Sequence, residues 1–243
     1  MRNAMAGKRT PWRILLVALA SALLLPACGH PAEAAVPNPG STAVPVDAPG
    51  GQALRIDPAH TALLVMDMQQ GIVSQLGGDD HVVTAVADAE RASRTAGVAV
   101  DFETTAFAPG YPEVSPDNKA FGPILGSGTM IQGSPETRID PRVAPAGDEP
   151  VIVKHRVGAF GDTSLDQILR AKHIDTLVLT GLATSGVVLS TLRAAADLDY
   201  RVIVLSDGVA DTDPQVGIML LDKVFPAQAD VVDVAGYRSA LAG

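Results

Sequence analysis

The chain has 243 residues, a formal net charge of −9, 47% hydrophobic residues, 19% charged residues and one cysteine. That is enough chain for one domain of ordinary size with a real core, too apolar for a disordered solvating protein, and too acidic for a binder that holds nucleic acid on a basic surface. A lone cysteine excludes an intramolecular disulfide and a thiolate zinc cluster.

Arg2, Lys8, Arg9 and Arg13 give the chain a positive start, and Ile14 to Leu25 is an apolar run interrupted only by Ser21. The run is short for a helix that crosses a bilayer, which needs about 20 residues, and has the length of a signal-peptide core. Leu25-Pro26-Ala27-Cys28 follows at once and resembles a bacterial lipoprotein box, in which cleavage precedes a cysteine that then carries lipid. A plain secretory signal ending near Ala27 is the alternative. Residues 1–27 are therefore expected to be a signal peptide. Residues 28–57 are read as the lipidation site, Cys28, and a Pro-, Ala- and Gly-rich tether, and residues 58–243 as the globular domain. The expected location is the bacterial cell surface or periplasm through a lipid anchor, or the exterior if Cys28 is unused. The acidic surface leaves lipid as the one expected route to a membrane.

The globular part alternates strand and helix signals. Ala62 to Met66 is a continuous apolar run of the kind buried on both faces of a parallel sheet. Residues 79–97 read as a helix with Asp79 and Asp80 near its start and Gly97 at its end. Val98 to Glu103 and Val151 to Lys154 are the next strands. Thr163 to Ala171 is a helix capped by Thr163 or Asp162. Thr176 to Thr180 is a strand, and Gly186 to Leu198 a helix with Thr184 or Ser185 as cap. Arg201 to Leu205 is a strand, Pro214 to Phe225 a helix with proline in its first turn, and Ala229 to Val234 a strand. This order predicts a three-layer α/β/α fold on a parallel sheet of about six strands.

Ligands of such sheets bind at the carboxyl ends of strands. Asp67 follows the first strand, Lys154 ends the third, and Ala183-Thr184-Ser185-Gly186 follows the fourth. Asp67 reads as a general acid or base whose pKa burial raises and Lys154 lowers; a structural ion pair is the alternative. Asp207 and Asp211, after the fifth strand, read as acceptors for backbone amides in a turn. No Walker loop and no strand followed by G-x-G-x-x-G is present, and no H-x-H pair occurs, so neither a cofactor nor a metal is expected. No G-x-S-x-G elbow supports a serine hydrolase, although Ser185 and Ser190 lie near the loop.

LLVMDMQ (63–69), AFAPGYPEVSPDNKAF (106–121), VIVKHRVGAF (151–160) and TGLATSGVVLSTLRAA (180–195) resemble the isochorismatase-like hydrolases, the cysteine hydrolase superfamily. The resemblance implies catalytic roles for Asp67 and Lys154 and places the family's nucleophilic cysteine at position 187, where this chain has Val187. It implies a cis peptide between Leu182 and Ala183, and backbone amides of Ala183 and Val187 aimed at a substrate oxyanion. Gln69, Phe107, Tyr111, Phe160 and Thr184 are the expected pocket residues; for the aromatics, packing in a satellite core is the alternative. Valine has no lone pair for attack on a carbonyl, so the thioester route is closed. The resemblance leaves a non-covalent Asp/Lys hydrolase acting on a small carbonyl or enol-ether compound, or an inactive relative that binds a small molecule or partner. It also implies a homo-oligomer.

Overall fold

The computed structural model describes residues 54–78 and 80–242; the expected signal peptide, Cys28 and nearly all of the expected tether lie outside them. Six parallel strands form one sheet: β1 (Thr61–Met66), β2 (Ala99–Thr105), β3 (Val151–Lys154), β4 (Thr176–Leu182), β5 (Arg201–Ala210) and β6 (Asp230–Val232). Their order across the sheet is β3-β2-β1-β4-β5-β6, so the chain changes direction of winding between β1 and β4, where parallel sheets open a crevice at the strand ends.

The helices are α1 (Gln70–Val73), α2 (His81–Ala96), α3 (Leu165–Ala171), α4 (Leu189–Asp197), α5 (Pro214–Met219) and α6 (Val234–Leu241). They cover both faces. Leu63 and Val65 of β1 join residues of α2 and α6 in one apolar cluster, including Val86, Ala89 and Tyr237. Leu64 and Met66 join residues of α3 and α4 in the other, including Leu169, Leu192 and Ala195. This is why β1 is apolar at every position from Ala62 to Met66 and not at alternate ones. Each large side chain fully buried in this way contributes about 1.5–3 kcal/mol.

Three strands run past the apolar runs that announce them. β2 continues to Thr105, β4 to Leu182 and β5 to Ala210, because ladder bonds from neighbours hold polar and glycine positions in extended form. Helix α3 starts at Leu165. Thr163 Oγ1 accepts from Leu165 N at 3.3 Å and donates to Ala159 O at 2.7 Å. A wide helical turn, Thr184–Val188, precedes α4, and no side chain of its own caps it. α6 has no counterpart in the sequence reading; Asp233 caps it, accepting from Gly236 N at 2.7 Å.

Candidate active site

The site is assembled where β1, β2 and β3 end. Asp67 is the first residue past β1 and turns the chain sharply with φ 55°, a left-handed conformation that Asp tolerates better than most residues. Its N–H still continues the ladder to Glu103 O at 2.7 Å. The close approach of β4 to this end of β1 depends on Gly181, which has φ 128°; a Cβ there would lie 2.0 Å from Met66 O.

Lys154 reaches back from β3 and is fully buried. Its Nζ donates to Asp67 Oδ2 at 2.8 Å and to Thr105 Oγ1 at 2.6 Å. The carbonyls of Arg156 and Val157, in the segment that follows β3, accept from it at 3.2 and 3.1 Å. Thr105 Oγ1 in turn donates to Asp67 Oδ1 at 3.0 Å. One ammonium, one hydroxyl and one carboxylate thus close a hydrogen-bonded triangle. Burial pushes the Asp67 carboxyl up, while the Lys154 ammonium and the hydrogen bonds from Lys154 and Thr105 hold it down; burial is the larger effect, so the group sits above the usual carboxylate range. Such a carboxyl can exchange a proton nearer neutral pH than an exposed one.

The turn after β4 carries the other candidate groups. The Leu182–Ala183 peptide is cis. Asp211, at the end of β5, accepts from Ser185 N at 2.7 Å, and Ala183 O accepts from Gly186 N and Val188 N at 3.1 and 3.3 Å. Val187 is buried in the apolar cluster that contains Met66, the neighbour of Asp67. Thr184 is buried, and its Oγ1 has no hydrogen-bond partner.

Several expected pocket residues serve other purposes. Gln69 is fully buried. Its amide donates to Thr105 O and Thr137 O at 2.9 Å each and accepts from Thr105 N at 2.7 Å, so its hydrogen bonds clamp the end of β2 to the following loop and are not offered to a substrate. Phe107 and Tyr111 belong to a small closed cluster with Val114, Ile124 and Met130. The Tyr111 hydroxyl is engaged by Thr129 O at 2.8 Å and Ser127 Oγ at 3.0 Å. Phe160 stacks on Tyr200, with ring centroids 5.9 Å apart, and packs on the α3/α4 face. The three aromatics therefore do not share one pocket mouth.

Thr105, Glu103 and Asp211 were not singled out for this site from the sequence. The signal for the first two was the polar alternation Asp101-Glu103-Thr105 inside an otherwise buried strand. Asp207 and Asp211 do accept backbone amides: Asp211 binds Asp213 N at 3.3 Å in the local turn and, across the fold, Ser185 N, while Asp207 binds Val234 N at 2.9 Å. Among the described residues, no group of three His, Cys, Asp or Glu side chains is placed to hold a metal.

Residues 61–236 match the family model described as the isochorismatase domain. Ureidoacrylate amidohydrolase RutB of Methylobacterium radiotolerans is 30% identical over 213 residues, covering 78% of this chain and 83% of that protein. RutB of Pseudomonas savastanoi pv. phaseolicola is 31% identical over 209 residues, covering 73% and 85%. Among solved structures, an isochorismatase family protein from Burkholderia thailandensis superposes with TM-score 0.67 at 30% identity, over 79% of this chain and all of the other. N-carbamoylsarcosine amidase from Thermoplasma acidophilum does so with TM-score 0.59 at 26% identity, over 72% and 96%.

Proposed function

Because the chain belongs to the isochorismatase-like (cysteine hydrolase) family, we propose that it is a hydrolase of small carbonyl or enol-ether compounds that works without a covalent cysteine. The observation that carries this reading is the buried Lys154–Asp67 pair, 2.8 Å apart at the carboxyl ends of β3 and β1. Cys28 is the chain's one cysteine, and position 187 presents a valine side chain to the core, so a thiolate is not part of the chemistry.

In this proposal Asp67 takes a proton from water as the oxygen attacks the carbonyl carbon, and returns it to the departing nitrogen or oxygen. Lys154 holds the carboxylate in place and keeps the site neutral. The backbone amides of Ala183 and Val187 take the oxyanion of the tetrahedral intermediate, a role that does not depend on the side chain at 187. With an enol ether, protonated Asp67 delivers its proton to carbon and water then attacks the cation. The relatives' names favour ureides and amides as the first compounds to try. Export and lipid attachment at Cys28 belong to the same proposal and rest on the N-terminal sequence.

The test is product release from a panel of ureides, amides and vinyl ethers. Turnover of one class supports the reading. A ligand that binds in the micromolar range without any turnover supports the second reading, a silent relative that retains the pocket, which the burial of Val187 favours. Val187→Cys separates the two further: new amidase activity on that change alone shows that the remaining groups are correctly placed. Labelling by a fluorophosphonate, lost in Ser185→Ala or Ser190→Ala, would instead indicate a serine nucleophile.

A further inference from the structure

β3 forms one edge of the sheet. Its pairing with β2 uses alternate residues. Pro150 O accepts from Phe102 N at 2.9 Å and Lys154 O from Ala106 N at 3.4 Å, and the register runs unbroken from Phe102–Val151 to Thr105–Lys154. Successive residues of a strand turn their N–H and C=O groups to opposite sides. Pro150, Ile152 and Lys154 therefore serve β2, and the N–H and C=O groups of Val151 and Val153 point away from the sheet. Among the described residues, no loop or side chain bonds them.

This edge is unprotected. Val151 is 48% exposed, and neither it nor Val153 joins the apolar clusters on the two faces of the sheet. Lysine, proline and bulges are the usual devices against edge pairing, and none stands at these two positions. An open groove of about 840 Å³ follows the strand, lined by Val151, Val153 and, at α3, Ser164, Gln167 and Ile168. The opposite edge, β6, has three residues and starts at Asp230, which is tied to Arg201.

β3 is complementary to itself. An antiparallel copy centred on Ile152 sets Val151 opposite Val153 of the second copy, and Val153 opposite its Val151. Each such pair exchanges both of its backbone hydrogen bonds, and valine meets valine on one face of the strand. The flanks match as well. Asp148 precedes β3 and Arg156 follows it, and both are exposed. Arg156 donates to the carbonyls of Glu113 and His155, so its charge has no carboxylate. Antiparallel pairing brings the entry of one strand beside the exit of the other, so each Asp148 lies by the Arg156 of the other copy.

We propose that the chain binds a second copy of itself through β3, antiparallel about a two-fold axis at Ile152, joining the two sheets into one. Such a contact closes on itself and leaves no edge open at β3. The strand that carries Lys154 is then held from both sides. The pairing does not depend on the hydrolase reading.

The test is light scattering of the whole chain at micromolar concentration in a mild non-ionic detergent, with the detergent mass subtracted. The wild type gives twice the chain mass. Val153→Pro removes an outward N–H and no bond to β2, as an edge strand tolerates, and gives the single mass. Asp148→Arg or Arg156→Asp alone raises the dissociation constant about tenfold or more, and the two together restore it. Across the axis the two Ile152 Cα atoms lie about 4.5 Å apart, within the disulfide range, so oxidised Ile152→Cys gives a linked pair beyond any that Cys28 forms in the unmodified chain. Circular dichroism melting shows which variants are folded, and the charge swap decides the matter if Val153→Pro or Ile152→Cys is not. A wild type of single mass leaves the edge to an extended segment of another protein and overturns the proposal. So does a double mass in folded Val153→Pro, a charge swap that restores nothing, or folded Ile152→Cys without an added link. A pair broken instead by Ile218→Glu, on α5 where Ile218 is 52% exposed, also overturns it.

Discussion

Replacing Lys154 by Met keeps the volume of the stem and removes the ammonium. The change strips a donor from Asp67 Oδ2, Thr105 Oγ1 and the carbonyls of Arg156 and Val157. It also leaves Asp67, with a side chain only 9% exposed, as a buried carboxylate without a counter-ion. Breaking one partner of such a pair costs about 3–5 kcal/mol. For a domain of this size each kcal/mol lowers the melting temperature by about 2–4 °C, so the midpoint falls by about 6–20 °C at neutral pH. The loss is smaller at pH 5. Without Lys154 the Asp67 carboxyl is raised further, its stabilising share is present below the ordinary carboxylate range, and that share is lost as pH rises through the folded value. The double variant Lys154→Met/Asp67→Asn removes the orphaned charge and recovers at least about 2 kcal/mol relative to the sum of the singles. Urea denaturation of the four proteins at two pH values measures this cycle. A loss below about 1 kcal/mol in Lys154→Met, or strict additivity in the double variant, would refute the reasoning that the pair is desolvated and mutually dependent.

Gly181→Ala drives a Cβ toward Met66 O, where only 2.0 Å is available; it should cost about 4 kcal/mol or more and lower the melting temperature by at least about 8 °C. Gln69→Leu leaves Thr105 N, Thr105 O and Thr137 O without their buried partner. A loss of about 3 kcal/mol and faster proteolysis between residues 106 and 143 are expected, and an unchanged rate would contradict the clamp. Glu90 is pushed by burial from 4.5 to about 7, with Arg94 opposing. Because the folded state holds this proton longer, the stability it adds is complete below its ordinary value and lost as pH rises through about 7. Denaturation at pH 5 and pH 8 should differ by about 2 kcal/mol from this group, allowing for its partial solvation, and Glu90→Gln should flatten the slope.

The sheet was legible because both faces are covered, which forces unbroken apolar runs at β1 and β4. Strand ends were less so. Thr104-Thr105, Gly181-Leu182 and Ser206 to Ala210 are extended because neighbouring strands or bulges hold them, and local sequence carries no trace of that. α6 was hidden because Val231, Val232 and Val234 read as one apolar stretch, while Asp233 between them ends β6 and caps the helix. Position in the fold identified Asp67 and Lys154 as neighbours, since polar residues at the carboxyl ends of adjacent parallel strands converge. Gln69 was misread because an amide near the site looks the same in sequence whether it faces a ligand or the main chain. Between pocket lining and packing, the sequence left Phe160 open, because its stacking partner Tyr200 is remote in the chain. The Thr184–Val188 turn has its Ser185 amide held by Asp211, 26 residues on, so no local capping rule could describe it.

The central claim is that Asp67, buried against Lys154, is the group that moves the proton. The most direct measurement is kcat/KM of the wild type and of Asp67→Asn on whichever ureide, amide or vinyl ether the wild type turns over, with melting curves recorded on the same samples. The account predicts a loss of about 10²–10⁴-fold, the range for removal of a general acid or base, in a variant that remains folded. Equal turnover by folded Asp67→Asn would contradict it.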